Sequence, residues 1–192
     1  MQNWKRWMGA LRRAPGEDRA RLTAEEASAR ALLERYGCSR RRMAEAGRLE
    51  DYLALRVAPE LEARWRDDYT GERLAADALT ADSLGEAVAL AAEYGDARLL
   101  ARALEAMDEA AVRASVPDEA LLGLLLRALR TLEAEGFADA EALLEGRARI
   151  LELEHRLTAR LQATAPEGRW QPVMIALICR LEGATLEGLG ER

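Results

Sequence analysis

Apolar residues recur every three or four positions along most of this chain, which is the spacing of one face of an α-helix. Trp4, Trp7, Met8 and Leu11 form the first such stripe, with Lys5, Arg6, Arg12 and Arg13 off it, and Pro15-Gly16 ends it. Thr23-Ala-Glu-Glu26 has the form of a capping box and predicts a helix running to Tyr36, with Gly37 as its stop. Ser39 opens the next helix through Arg40–Met43; Gly47 weakens it, and Leu49, Tyr52 and Leu53 carry its apolar face to about Val57. Pro59 suits a first helical position, and Leu61 and Trp65 stripe a helix over 59–68. Tyr69-Thr70-Gly71 reads as a turn, followed by a short helix over 72–79.

From Ser83 the pattern becomes regular. Leu84, Ala87, Val88 and Ala91 line one helix, Gly95-Asp96 connects, and Leu99, Leu100, Ala103, Leu104 and Met107 line the next. Together they predict an antiparallel hairpin. A separate short element is expected over 108–114. The segment 118–135 is apolar over most of its circumference, from Leu121 to Leu132, and such a helix is normally surrounded by others. The helix expected over 138–163 carries a narrow seam, Leu143, Ile150, Leu153, Leu157 and Leu161, fit to pack inside the domain or to pair two subunits. Pro172 starts a final buried helix to about Leu181, and 183–192 should be loosely held.

Composition supports this reading. Ala and Leu dominate while β-branched residues are scarce, a helix-forming preference. The expected fold is all-α: antiparallel helical hairpins packed as a multi-helix bundle or short helical array. Residues 1–16 are expected to form a basic amphipathic arm, and 17–192 a single domain. No segment approaches the roughly 20 apolar residues of a membrane span. The N-terminus lacks a signal-peptide pattern, and Cys38 and Cys179 read as small buried hydrophobes of a reducing compartment, so a cytoplasmic protein is expected.

Charge divides the chain. Residues 1–48 hold Lys5 and eleven arginines against six acids, a net of +6; residues 49–192 hold sixteen arginines against 28 acids, a net of −12. The first quarter is therefore the part suited to an anionic partner. Within it, Tyr36-Gly-Cys-Ser-Arg-Arg-Arg-Met43 resembles the turn of a helix-turn-helix DNA-binding motif, with Gly37 at the turn, Cys38 after it and Met43 in the second helix. The resemblance implies that Arg40, Arg41 and Arg42 start a recognition helix facing phosphates or base edges. Leu33 departs from the pattern, which expects alanine four residues before the glycine. Further along, Gly136–Leu144 resembles the turn and second helix of a tetratricopeptide repeat. Arg147 stands where a small residue is expected, and Gly95 and Gly136 lie 41 residues apart instead of about 34. A generic helical hairpin is the better description.

Motifs for chemistry are missing. Asp67-Asp68, Asp108-Glu109 and Asp118-Glu119 are adjacent on helices, so their carboxylates diverge by about 100° and do not share an ion. Glu93, Glu133 and Glu154 read as surface positions. His155, the one histidine, sits beside Glu152 and Glu154 as a salt-bridged surface residue. No catalytic set, cofactor motif or metal site is expected. The leading expectation is a non-enzymatic cytoplasmic interaction or scaffold protein that binds a protein partner or itself as a homo-oligomer. Its contacts would be Trp4, Trp7, Met8 and Leu11 and the Leu143–Leu161 seam. The alternative is a DNA-binding regulator using residues 24–47.

Overall fold

A computed structural model describes residues 16–48, 59–165 and 167–189. The fold is all-α: the described residues hold eight α-helices and one 3-10 turn, with no strand. They belong to two compact units divided between Glu72 and Arg73. The expected arm at 1–16 and the apolar positions Leu49, Tyr52, Leu53 and Val57 lie outside the described residues, save Gly16, which begins the first helix.

The first unit contains α1 (Gly16–Arg35), α2 (Arg40–Glu45) and α3 (Pro59–Arg73). Thr23 falls inside α1 and not at its start, because the helix begins a full two turns earlier. The α1–α2 turn is left-handed at Gly37 (φ 63°) and Cys38 (φ 56°). The Cys38 amide donates back to the Leu33 carbonyl, and Ser39 Oγ accepts from the Arg42 amide at 2.9 Å, capping α2. Ala29, Leu33, Cys38, Met43 and Trp65 form one buried cluster, with Leu32, Tyr36 and Tyr69 packed against it. Helix α3 runs straight through Tyr69-Thr70-Gly71, where the sequence reads as a turn. Thr70 is buried there, and its hydroxyl donates to the Arg66 carbonyl at 2.7 Å. Burial and that local bond outweigh the turn preference of the tripeptide.

The second unit contains a 3-10 turn (Ala76–Ala78), α4 (Ala81–Tyr94), α5 (Ala97–Arg113), α6 (Asp118–Leu132), α7 (Ala140–Thr164) and α8 (Gln171–Leu189). The short helix expected over 72–79 is reduced to that 3-10 turn. Thr80 and Ser83 cap α4 reciprocally: each side chain accepts from the other's amide, at 3.1 and 3.0 Å. Gly95 (φ 62°) and Asp96 fold α5 back on α4, with Asp96 Oδ1 accepting from the Leu99 amide at 3.0 Å. Helix α5 continues through Asp108-Glu109, because Ala110 and Ala111 follow Met107 at three and four residues and are buried with it.

Helix α6 is the centre of this unit, as its apolar circumference predicts. It touches α4, α5, α7 and α8, and Leu121, Leu122, Leu125, Ala128 and Leu129 are completely buried. The seam of α7 turns inward: Ile150, Leu153, Leu157 and Leu161 are buried within this unit and Leu143 is half-buried, where α7 packs on α5, α6 and α8. It is therefore not a coiled-coil surface for a second subunit. Helix α8 extends past the expected end to Leu189 and covers α6 and α7 with Leu177 and Leu181. Its other side is open, so Cys179 is exposed, contrary to expectation, whereas Cys38 is buried as expected.

Candidate functional site

The first unit holds a cleft of about 320 Å³, within the range of roughly 300–1,000 Å³ usual for ligand sites. Helical spacing builds it. On α1, Arg30, Leu33 and Glu34 stand at i, i+3 and i+4; on α3, Trp65, Asp68, Tyr69 and Glu72 stand at i, i+3, i+4 and i+7. Cys38 enters from the turn, its thiol donating to the Trp65 carbonyl at 3.9 Å. Leu33 and Cys38 are wholly buried behind the cleft and Trp65 is 5% exposed, so the open apolar wall of the cleft is the half-buried Tyr69. Glu34, Asp68 and Glu72 are exposed on the rim.

The rim is electronegative. Arg30 Nε lies 2.9 Å from Glu34 Oε1 in an i,i+4 pair. That hydrogen bond, with the charge of Glu34, holds the guanidinium above its ordinary range, and the carboxylates of Glu72 and Asp68 on α3 add to the effect. Arg64 pairs with Asp68 at 3.9 Å, so the three carboxylates face two cations and keep one negative charge in excess. An aromatic face with carboxylates around it suits a cationic or amphipathic group, through both the ring quadrupole and direct charge.

The arginine triplet is arranged differently from a recognition helix. Helix α2 is six residues long, about 9 Å, and Gly47 (φ 71°) follows its end. Arg40 turns toward the buried Glu62, Nε to Oε2 2.8 Å. Arg41 lies along the surface and pairs with Glu45 at 2.9 Å, and Arg42 is half-buried. Consecutive helical positions diverge by about 100°, so the triplet fans around α2. Leu33, bulky where a helix-turn-helix expects alanine, fills the space beneath the turn. Trp4, Trp7, Met8 and Leu11 lie outside the described residues.

In the second unit all three acids read as surface positions differ from that reading, Glu93 being half-buried. Glu133 is half-buried and takes both Arg147 and Arg180, one on each oxygen. Arg147 also donates to the Leu181 carbonyl at 2.9 Å, joining α7 to α8. Glu154 is buried, one oxygen accepting from Thr158 Oγ1 at 2.7 Å and the other unbonded. His155 is exposed, as expected. A ladder of arginines fixes α7 to its neighbours: Arg149 on Glu105, Arg156 on Asp108, and Arg160 on Asp118 and on the Ala111 carbonyl.

Sequence reasoning placed Trp65 on an apolar stripe and Cys38 among buried residues, met Leu33 only as a departure from the helix-turn-helix pattern, and missed the rim. Its signal was the continuation of the Trp65 face to Asp68, Tyr69 and Glu72, which the supposed turn at 69–71 hid. Among the described residues, no group of three or more His, Cys, Asp and Glu side chains converges to hold a metal ion, and no helix is long and apolar enough to cross a membrane. No protein-family model matches the chain, and neither a curated protein nor a solved structure matches it.

Proposed function

We propose that this chain is a non-enzymatic protein-interaction module whose first unit receives an aromatic side chain flanked by lysine or arginine. The cleft carries the reading: an apolar wall of Tyr69 and the exposed part of Trp65, backed by the buried Leu33 and Cys38, beneath a rim of Glu34, Asp68 and Glu72. An apolar pocket with a charged edge is the usual anatomy of an anchor site, where one buried side chain supplies most of the energy and peripheral charges set orientation and encounter rate.

The test is peptide display on the full chain carrying Trp4→Ala and Trp7→Ala, which removes the chain's own aromatic stripe as a competitor. Selected peptides should carry Trp, Phe or Tyr within a few residues of Arg or Lys. Their binding should weaken about tenfold when Asp68→Lys and Glu72→Lys are added, and should fall with salt. Selection of peptides without basic residues, or binding indifferent to the charge reversal, would refute the reading.

A further inference from the structure

The cleft needs an occupant that is apolar, aromatic and basic, and the chain contains one. Residues 1–15 hold Trp4, Trp7, Met8 and Leu11 at helical spacing, with Lys5, Arg6, Arg12 and Arg13 and no acid. The rim offers Glu34, Asp68 and Glu72 against Arg30, which pairs with Glu34, and Arg64, which pairs with Asp68 at 3.9 Å, so one negative charge is left over. Wall meets stripe and rim meets flanking charge, which is the helix-in-groove mode of recognition.

Reach decides whose cleft is filled. Helix α1 begins at Gly16, and Leu33 lies seventeen residues along it, about 26 Å at 1.5 Å per residue. Trp4 precedes Pro15 by eleven residues, which as a helix covers only about 17 Å. A helical stripe folded back along its own α1 therefore brings Trp4 only to the near edge of the cleft, where Arg30 stands about 21 Å along α1, and leaves Trp7, Met8 and Leu11 well short of it, so the whole stripe is seated only in another copy's cleft. An extended segment is long enough, at about 3.3 Å per residue, but extension puts alternate side chains on opposite faces and dissolves the stripe.

We infer that the N-terminal segment of one copy of the chain docks in the cleft of a second copy, Trp4 or Trp7 resting against Tyr69 and the exposed part of Trp65 and the basic residues on the rim of Glu34, Asp68 and Glu72. This rests on the reading of the cleft given above. Two copies that exchange segments reciprocally satisfy both clefts and close the assembly as a two-fold dimer.

Sedimentation of the full chain and of two variants tests it. Trp4→Ala/Trp7→Ala disables the segment and keeps the cleft. Asp68→Lys/Glu72→Lys disables the cleft and keeps the segment, and it places lysines toward the C-terminal end of α3, where cations suit the helix dipole. Helical circular dichroism checks that both remain folded. The wild type should sediment at twice the chain mass and each variant alone at the chain mass. An equimolar mixture of the variants, which retains one good segment and one good cleft, should regain the doubled species. A monomeric wild type, or a mixture that stays monomeric, overturns the inference. A labelled peptide of residues 1–15 titrated into the Trp4→Ala/Trp7→Ala chain separates the two claims. If the peptide binds and the wild type is monomeric, the cleft reading stands and the exchange falls. If neither that peptide nor any display-selected basic-aromatic peptide binds, both fall.

Discussion

Gly146 shows how one residue governs a helix contact. It is buried in α7, and a Cβ built on it would stand 2.6 Å from Leu132 Cδ2 on α6. The tip of the Leu132 side chain therefore occupies the space that a side chain at 146 would fill. Gly146→Val must displace Leu132 from its buried position, and the expected loss is about 1–3 kcal/mol, read as a lower urea midpoint with unchanged slope. Glu154 makes a related point about legibility. It follows Ile150 by four, precedes Leu157 by three and precedes Leu161 by seven, which puts it on the inner face of α7. Its charge made it look like a surface residue, while its register said otherwise. Cys179 is the reverse case: an apolar run surrounds it in sequence, but α8 is covered on one side only.

At the scale of elements, the local rules held where tertiary contacts agreed with them. Ser39 and Asp139 cap helices with their side chains, Asp139 Oδ1 accepting from the Ala142 amide at 2.8 Å. Gly95 turns the α4–α5 hairpin. The best-capped start is α4, where Thr80 and Ser83 satisfy two otherwise orphan amides. Thr80→Ala should cost about 1 kcal/mol, and amide hydrogen exchange should accelerate in the first turn of α4 ahead of its later turns. The rules failed at two places, and at the second of them burial overrode the local preference. Thr23-Ala-Glu-Glu26 has the residues of a cap but sits in mid-helix. Tyr69-Thr70-Gly71 has the residues of a turn but continues α3, because Tyr69 and Thr70 are drawn against the body of their unit. That second misreading also concealed half of the cleft, since Asp68, Tyr69 and Glu72 share a face only if the helix goes on.

For the whole molecule, an all-helical architecture and a central α6 were readable from periodicity and composition. The boundary between units was not, since it falls at the end of α3 with no glycine-rich or proline-rich linker to mark it. Residues 73–192 enclose a core of their own: α6 meets four other helices there, and the arginine ladder of α7 lies entirely inside that span. A fragment of 73–192 should therefore be helical by circular dichroism and unfold in a single cooperative transition. A fragment that melts gradually, without a sigmoidal transition, would show that this core is insufficient by itself. The cleft was only half legible for the same reason as the boundary: both depend on which helices meet, and no local pattern encodes that.

Arg147 grips Glu133 with one terminal nitrogen and the Leu181 carbonyl with the other, and Arg180 closes on the second oxygen of the same glutamate. Such a keystone demands a planar fork of donors, which an ammonium on a flexible stem does not supply. Divergent copies of this chain should therefore hold arginine here even where singly paired surface arginines drift to lysine. Retention of arginine at 147 across otherwise drifting sequences would be the evolutionary trace of three helices held by a single side chain.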